Sequence, residues 1–263
     1  LSYQTNAHYR KTPDGLKCNV RFEDIRHVTL PKLGRIRIGA SPKILKALRE
    51  RTCDTRISSI CISRDSIGEY WASFSIASEE PFYETRPKTG KMHGIDLNLL
   101  ELVNASDGSS SENRRYRRQM KKKLSKSQRK QSRMYEHAKK DGRSLKTSTN
   151  YQEQRRKTAY IHRKVERRRT DYLHVLSKRE VENQDFIAAE DLKVRNMMKN
   201  HNLAGAIADA AWSKFLTMLQ YKSVLFGKTF TLVPPSNTTQ TCSNCGYIMK
   251  GDEHLTLKDR SWV

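Results

Sequence analysis

The sequence predicts a mixed α/β protein that combines short apolar strands with two long, strongly basic helices. Three observations predict this class. Short apolar runs at residues 92–97 and 185–190 have the length of buried strands, and each carries an acid at or near its end. Apolar residues alternate with polar ones on both sides of Arg64-Asp65-Ser66-Ile67-Gly68, which indicates a β-hairpin. Residues 112–170 are polar and basic over a length that is typical of helices.

Residues 1–85 are predicted to form a β-rich module. Pro31-Lys32-Leu33-Gly34 breaks the chain before a short strand at residues 35–38. Ser41-Pro42 has the pattern of an N-cap followed by a first-turn proline, which predicts a helix through Arg49. The hairpin then closes the module.

A second domain is predicted at residues 92–235, after a linker at residues 78–91 that contains Pro81, Pro87 and Gly90. Gly142 and a polar run split its basic segment, residues 112–177, into two helices. The remaining elements predicted in this domain are a strand at 92–97, a strand at 99–105, a turn at 106–108, a strand at 185–189, one continuous helix at 202–221 and a strand at 229–233.

The charge balance favours a polyanionic partner. The 263 residues hold 51 Lys and Arg against 28 Asp and Glu, which gives a formal charge of +23 and a pI near 10.0. Residues 112–170 alone hold 23 Lys and Arg against five acids. Nucleic acid is the first candidate, because Lys and Arg neutralise phosphates and release counterions. An anionic membrane surface and a solvated basic face are the alternatives.

The sequence predicts a cytoplasmic protein with no membrane partner and an undetermined oligomeric state. No run approaches the roughly 18 apolar residues of a membrane helix, and the N-terminal residues lack the apolar core of a signal peptide. The cysteines do not form a disulfide framework, which fits a reducing compartment. They stand at Cys18, Cys53, Cys61, Cys242 and Cys245.

Asp96 and Glu190 are the candidate catalytic residues. Each stands at the end of a short apolar strand, which is where open α/β sheets place their sites. Carboxylates on neighbouring strand ends can hold a pair of Mg²⁺ ions for phosphodiester hydrolysis. The alternative is that each acid caps a turn, which is common at strand ends.

Cys242-Ser243-Asn244-Cys245-Gly246 is a candidate half of a zinc site. A CxxC turn suits two thiolates of a tetrahedral Zn²⁺ site, which needs two further ligands. His254 is a candidate third ligand, although a lone histidine near a chain end is more often exposed. A redox pair and inert thiols are the alternatives, and the redox interpretation lacks a thioredoxin-like βαβ context.

The basic segment supplies the candidate nucleic-acid contacts. Its charge is too one-sided for salt-bridged pairing along helices. Interspersed tyrosines could stack on bases, but we expect most of them to anchor the helices to the core. The candidate phosphate-binding residues are Arg114, Arg115, Arg117, Arg118, Lys121, Lys122, Lys123, Arg155, Arg156, Lys157, Arg167, Arg168 and Arg169.

Taken in order, these motifs resemble the TnpB/OrfB family of insertion-sequence proteins, which is related to the type V CRISPR effectors. The resemblance spans nearly the whole chain, and the ordered combination is more specific than any one motif. The residues that carry it are Leu30-Pro31-Lys32-Leu33-Gly34, Gly94-Ile95-Asp96-Leu97, Ser106-Asp107-Gly108, the run from Phe186 to Val194, Met197-Met198-Lys199-Asn200, the helix ending Leu219-x-Tyr221-Lys222, and the run from Thr239 to Tyr247.

The resemblance implies an RNase H-like (RuvC) sheet, a partial β-barrel wedge module at residues 1–85, and half of a zinc ribbon at residues 236–263. It implies that Asp96 and Glu190 bind Mg²⁺ in a two-metal endonuclease site. It further implies that Cys242 and Cys245 bind structural Zn²⁺. The implied partners are a guide RNA made from the transposon end and a target double-stranded DNA, read by base pairing beside a short flanking motif.

The sequence also departs from the family pattern. Asn98 replaces a frequent Gly and Thr239 a frequent Ser, while a second CxxC, a final catalytic Asp, the N-terminal recognition helices and the first wedge strand are not found. We therefore expect a chain truncated at both ends that does not cut DNA by itself. The alternatives to an RNA-guided endonuclease are a nuclease-dead RNA- and DNA-binding relative and a decayed transposase fragment.

Overall fold

The computed structural model describes residues 2–24, 26–39, 41, 55–79, 84–235, 240–242 and 245–249. Two compact units share them. The N-terminal unit comprises Leu1–Tyr83 and Ser127–Tyr160, and the sheet unit comprises Glu84–Lys126 and Ile161–Val263. The helix predicted from residue 42 through Arg49 lies outside the described residues.

Antiparallel strands make up most of the N-terminal unit, as the alternation of apolar and polar residues predicts. The described strands are β1 (Ser2–Asn6), β2 (Tyr9–Thr12), β3 (Gly15–Cys18), β4 (Arg21–Phe22), β5 (His27–Leu30), β6 (Gly34–Arg37), β7 (Thr55–Arg64) and β8 (Tyr70–Ser78). β7 pairs with β8 and β1, which confirms the predicted hairpin. β4, β5 and β6 form a second sheet, and β2 pairs with β3. Val20, Val28, Leu30 and Ile60 are buried in the core of this unit.

The sheet unit contains a five-stranded mixed sheet. Its strands are β9 (Met92–Leu97), β10 (Glu101–Ala105), β11 (Ser110–Glu112), β12 (Phe186–Glu190) and β13 (Thr229–Val233). The spatial order is β11-β10-β9-β12-β13. The first three strands are antiparallel neighbours, whereas β12 runs parallel to both β9 and β13. The predicted mixed α/β class is therefore confirmed.

The basic segment forms two long helices, as predicted. The described helices are α1 (Tyr116–Gln119), α2 (Lys121–Lys140), α3 (Thr149–Asn183), α4 (Val194–Met197), α5 (His201–Ala210) and α6 (Trp212–Phe226). Within the N-terminal unit, the hydroxyl oxygens of Ser127 on α2 and Thr158 on α3 are hydrogen-bonded at 2.9 Å. The Ser127 hydroxyl also accepts a hydrogen bond from the Gln154 side chain. None of the described helices combines the length and apolar character needed to cross a membrane.

The core of the sheet unit lies between the sheet and the inner faces of α3, α5 and α6. Ile187, Leu173, Ile207, Phe215 and Leu219 are all at most 1% exposed. Burying one such side chain contributes about 1.5–3 kcal/mol relative to leaving it in water. This packing fixes the strands from one side and leaves their other face available for a site.

Two boundaries differ from the predictions. The single helix predicted over residues 202–221 is wrong: the chain forms α5 and α6, separated at Ala211, which has a left-handed backbone with φ 55°. The apolar spacing continues on both sides of this residue, so periodicity did not reveal the break. The short strand β11 was also not predicted, because its sequence, Ser110–Glu112, is polar.

Candidate metal centre

Asp96 and Glu190 lie side by side on neighbouring parallel strands. The register pairs Ala189 of β12 with Ile95 of β9, so the next residue on each strand, Glu190 and Asp96, is its neighbour. Ile95 and Ala189 are buried, and side chains alternate along a strand. The two carboxylates therefore project from the face that is turned away from the core.

The two acids line a cleft of about 370 Å³ on this face of the sheet. Gly94 and Ala188, which lie two residues before the acids, leave its floor free of large side chains. Asn104 also lines the cleft, directly across from Asp96 in the pairing of β9 with β10. Directly opposed residues share a face of the sheet, with Cβ atoms about 4.5–5.5 Å apart. Asn104 therefore places a carboxamide group beside Asp96.

The cleft favours a positive charge. Desolvation and, second, the negative charge of Glu190 raise the pKa of Asp96 above its ordinary value. A cation between the two carboxylates would relieve both effects. Within the described part of the chain, no group of three or more His, Cys, Asp or Glu side chains forms a metal site. The described side chains that line the cleft and carry oxygen are the two carboxylates, the Asn104 amide and the Ser106 hydroxyl, which accepts a hydrogen bond from the Gly94 amide.

His93 is a further polar residue that the sequence did not single out. It lies on the core face of β9 and is 4% exposed, with Nδ1 3.6 Å from Asp107 and Nε2 3.5 Å from Glu180 of α3. Glu180 is itself buried. Neither ring nitrogen makes a hydrogen bond to a described residue, so His93 lies between the two carboxylates through close approach alone.

Cys242 and Cys245 lie on one tight turn. The Gly246 amide donates to the Cys242 carbonyl at 2.9 Å, and the Cys242 amide donates to the Tyr247 carbonyl at 2.8 Å. Gly246 has φ 73°, a conformation that favours glycine. The turn suits two ligands of one metal ion. His254, the candidate third ligand, lies outside the described residues.

Part of the predicted phosphate-binding set contacts the protein itself. The Arg114 guanidinium lies 4.6 Å from the Tyr172 ring centroid, and that of Arg168 lies 5.4 Å from the Tyr116 ring centroid. Arg169 donates to the Ala208 carbonyl at 2.9 Å and also pairs with Glu166. Arg115 donates to the Leu99 carbonyl. Tyr116 and Tyr172 pack against each other, which matches the anchoring role expected of them, whereas Tyr135 and Tyr160 are exposed.

The amides of Arg117 and Arg118 hold the start of the basic segment in place. They donate to the two carboxylate oxygens of Asp209 on α5, at 2.9 and 3.1 Å. Asp209 is 6% exposed and caps α1 from another helix. The side chains of both arginines are exposed. The candidate residues Lys121, Lys122, Lys123, Arg155, Arg156, Lys157 and Arg167 are also exposed on α2 and α3.

Comparisons with known proteins match this arrangement of residues to a family. The OrfB_IS605 model, described as a probable transposase, matches residues 73–201, and the Cas12f1-like TNB domain model matches residues 212–263. The chain belongs to the TnpB/OrfB family. The first match contains Asp96 and Glu190, and the second contains Cys242 and Cys245.

Relatives of this TnpB/OrfB chain carry names that state an activity. A Streptomyces pristinaespiralis protein, named as a candidate RNA-guided DNA endonuclease, is 34% identical over 78% of this chain and 48% of its own length. The Escherichia coli K12 protein InsQ, with the same designation, is 29% identical over 95% of this chain and 60% of its own length. The chain thus spans about half the length of these curated relatives.

A solved structure titled as a Cas12f1–sgRNA–target DNA complex also aligns with the TnpB/OrfB chain. The alignment covers 94% of this chain and 52% of the chain in the solved structure, at 13% identity and a TM-score of 0.48.

Proposed function

We propose that this chain forms the nuclease portion of an RNA-guided, metal-dependent DNA endonuclease of an insertion sequence. The adjacency of Asp96 and Glu190 on parallel strands is the observation that carries the proposal. The names of the relatives support the activity. The strand order, three antiparallel strands followed by two parallel ones, supports the RuvC-like, RNase H-type assignment of the sheet.

The donor chemistry of the cleft fits Mg²⁺. Hard cations take oxygen ligands, and Asp96, Glu190 and Asn104 supply carboxylate and amide oxygens on one face. When bound, Mg²⁺ activates water and stabilises the leaving oxygen of a phosphodiester. The small residues Gly94 and Ala188 leave room for the sugar–phosphate chain beside the acids. The buried core under β9 and β12 keeps the two carboxylates in register.

The exposed basic residues of α2 and α3 suit a guide RNA and its hybrid with target DNA. Their charges neutralise phosphates without reading bases, so sequence recognition is left to base pairing. Asp209 and the Tyr116–Tyr172 pair fix the beginning of this basic segment to the sheet unit. The Cys242–Cys245 turn would supply two thiolates to a structural Zn²⁺ ion.

Metal binding by this chain tests the proposed site directly. We expect Mn²⁺, used as a paramagnetic substitute for Mg²⁺, to bind the wild-type chain. Asp96→Ala and Glu190→Ala should each weaken binding at least tenfold, which is about 1.4 kcal/mol. Glu101→Ala is the matched control, because this exposed acid of β10 does not line the cleft. Equal Mn²⁺ affinity in all four proteins would contradict the metal site.

Guided cleavage tests the activity. In a family-length protein carrying this sequence, with guide RNA and Mg²⁺, Asp96→Ala and Glu190→Ala should abolish cutting while leaving RNA binding unchanged. Cutting by both variants at the wild-type rate would overturn the catalytic assignment. Retained RNA binding with no cutting by the wild-type protein would favour a nuclease-dead binder instead.

A further inference from the structure

The N-terminal unit contains a basic cavity that the nuclease site does not use. The cavity, of about 440 Å³, lies between the β7–β8 turn and α3. Arg64 lines it from the end of β7, and Arg155 and Arg156 line it from α3. Among the described residues, no carboxylate lies within ion-pair distance of any of these three guanidinium groups. By contrast Lys157, the next residue of α3, pairs with Glu153 at 2.7 Å.

Among the described residues that line the cavity, the one carboxylate is Asp65, which the turn itself holds. Asp65 Oδ1 accepts from the backbone amides of Ile67, Gly68 and Glu69, each at 2.9 Å, and Oδ2 accepts from the Trp71 indole at 3.2 Å. These bonds fix the shape of the turn. Three guanidinium groups against this one carboxylate leave the lining of the cavity with an excess of positive charge.

Close packing also positions Arg64. Its guanidinium stands over the Tyr70 ring, 5.6 Å from the centroid, and a Cβ atom built on Gly68 would lie 3.2 Å from Nη2. Gly68 has φ 101°, which suits glycine. Tyr70 is 68% exposed, so an aromatic surface lies next to the cationic cavity.

This combination fits one group of ligands. Guanidinium forks bind phosphate oxygens in pairs, and the fork geometry is more selective than a single ammonium charge. Exposed aromatic rings stack on bases and sugars. We propose that Arg64, Arg155 and Arg156 form a pocket for one backbone phosphodiester of a bound nucleic acid strand, with Tyr70 packed against the adjoining nucleotide. This proposal rests on the proposed nucleic-acid function, and it adds a specific site at which the bound strand is anchored.

A charge-conserving substitution separates a built pocket from a diffuse positive field. Arg155→Lys with Arg156→Lys keeps the charge and removes the forks. We expect this double variant to bind a 20-nucleotide strand about tenfold more weakly or worse, the loss typical of a charged hydrogen bond. The matched control is Arg129→Lys with Arg133→Lys, exposed residues of α2 in the same unit that do not line the cavity. The control should lose less than about twofold, because diffuse attraction depends on charge alone.

Neutralising single phosphates of the strand locates the contact. In the wild-type chain, methylphosphonate at one position should weaken binding more than elsewhere, and the Arg155–Arg156 variant should not show that extra loss. Separate measurements with an RNA strand and a DNA strand of the same sequence show which nucleic acid supplies the phosphate. Equal losses for pocket and control variants would overturn the pocket while leaving nucleic-acid binding intact. Failure of the wild-type chain to bind any strand would instead overturn the proposed function.

Discussion

At the scale of single residues, the candidate site contains stored electrostatic strain. Asp96 is partly desolvated and faces the charge of Glu190, and both effects raise its pKa. Between the ordinary and the raised pKa, the folded protein therefore holds a proton that the unfolded chain has lost. Stability consequently falls as the pH rises through this interval. Groups arranged for ligand binding commonly cost stability in this way.

We therefore expect Asp96→Asn to stabilise the metal-free chain at neutral pH. The rise in Tm should be a few degrees or less, because water screens a partly exposed charge. Below the ordinary pKa of Asp the two proteins should unfold together. Thermal unfolding with EDTA between pH 3 and 8 measures this difference.

Asp107→Asn is a control for which the expected pH dependence of stability has the opposite sign. Hydrogen bonds from the Ser109 side chain and amide lower the pKa of Asp107, so its stabilising contribution is present at neutral pH and is lost as the pH falls. This variant should be less stable than the wild type at pH 7. A lower Tm for Asp96→Asn at pH 7 would contradict the proposed charge repulsion in the cleft.

The sequence allowed some of these residues to be predicted and not others. Short apolar runs located Asp96 and Glu190, because each acid stands at or near the end of such a run. Asn104 could not be found in this way, since its position across from Asp96 depends on the turn between β9 and β10. His93 looked like any polar residue in a strand, because Asp107 and Glu180, which approach it in the fold, lie outside that strand in the sequence.

At the scale of helices and strands, a glycine substitution tests the break at Ala211. It should stabilise the observed structure but would destabilise a continuous helix. A left-handed backbone costs a residue with a side chain roughly 1–2 kcal/mol, and glycine avoids this cost. Because glycine loses more entropy on folding, we expect Ala211→Gly to stabilise the protein by roughly 0.5–1 kcal/mol. In a continuous helix the same change would destabilise by about 1 kcal/mol. Urea unfolding distinguishes the two, with Ala204→Gly inside α5 as the destabilising control.

The cap that Asp209 provides for α1 gives a second prediction at this scale. Asp209→Ala leaves the amides of Arg117 and Arg118 without their acceptors, which should cost about 1–3 kcal/mol. Asp209→Asn keeps one oxygen acceptor and should cost less. Hydrogen exchange should accelerate at these two amides in Asp209→Ala. Unchanged exchange there would show that the cap does not hold α1.

Both features illustrate why element boundaries were harder to predict than the elements themselves. The length and polarity of α2 and α3 identified them from the sequence. The residues that end or cap α1 and α5 act through a single backbone angle or a partner far along the chain. Asp209 lies 92 residues from Arg117, so no local pattern connects them.

At the scale of the whole molecule, the predicted domains follow the chain, whereas the compact units do not. Ser127–Tyr160 belongs to the N-terminal unit although it lies within the predicted nuclease domain, residues 92–235. Long helices carry the chain out of one compact unit and back, which a division by composition cannot detect. The same excursion places Arg155 and Arg156 beside the β7–β8 turn.

The net charge of +23 predicts opposite responses to salt for the free and bound protein. In the free chain like charges repel, so raising NaCl from 50 to 400 mM should increase Tm by screening this repulsion. With bound RNA, the same salt should lower Tm, because counterion release favours the complex at low salt and the bound ligand stabilises the folded state. Thermal unfolding with and without a 20-nucleotide RNA measures both slopes. If the Tm of the RNA-containing sample rose with salt as steeply as that of the free chain, phosphate contacts would not dominate binding. The Arg129→Lys and Arg133→Lys protein should follow the wild type in both series, since its charge is unchanged.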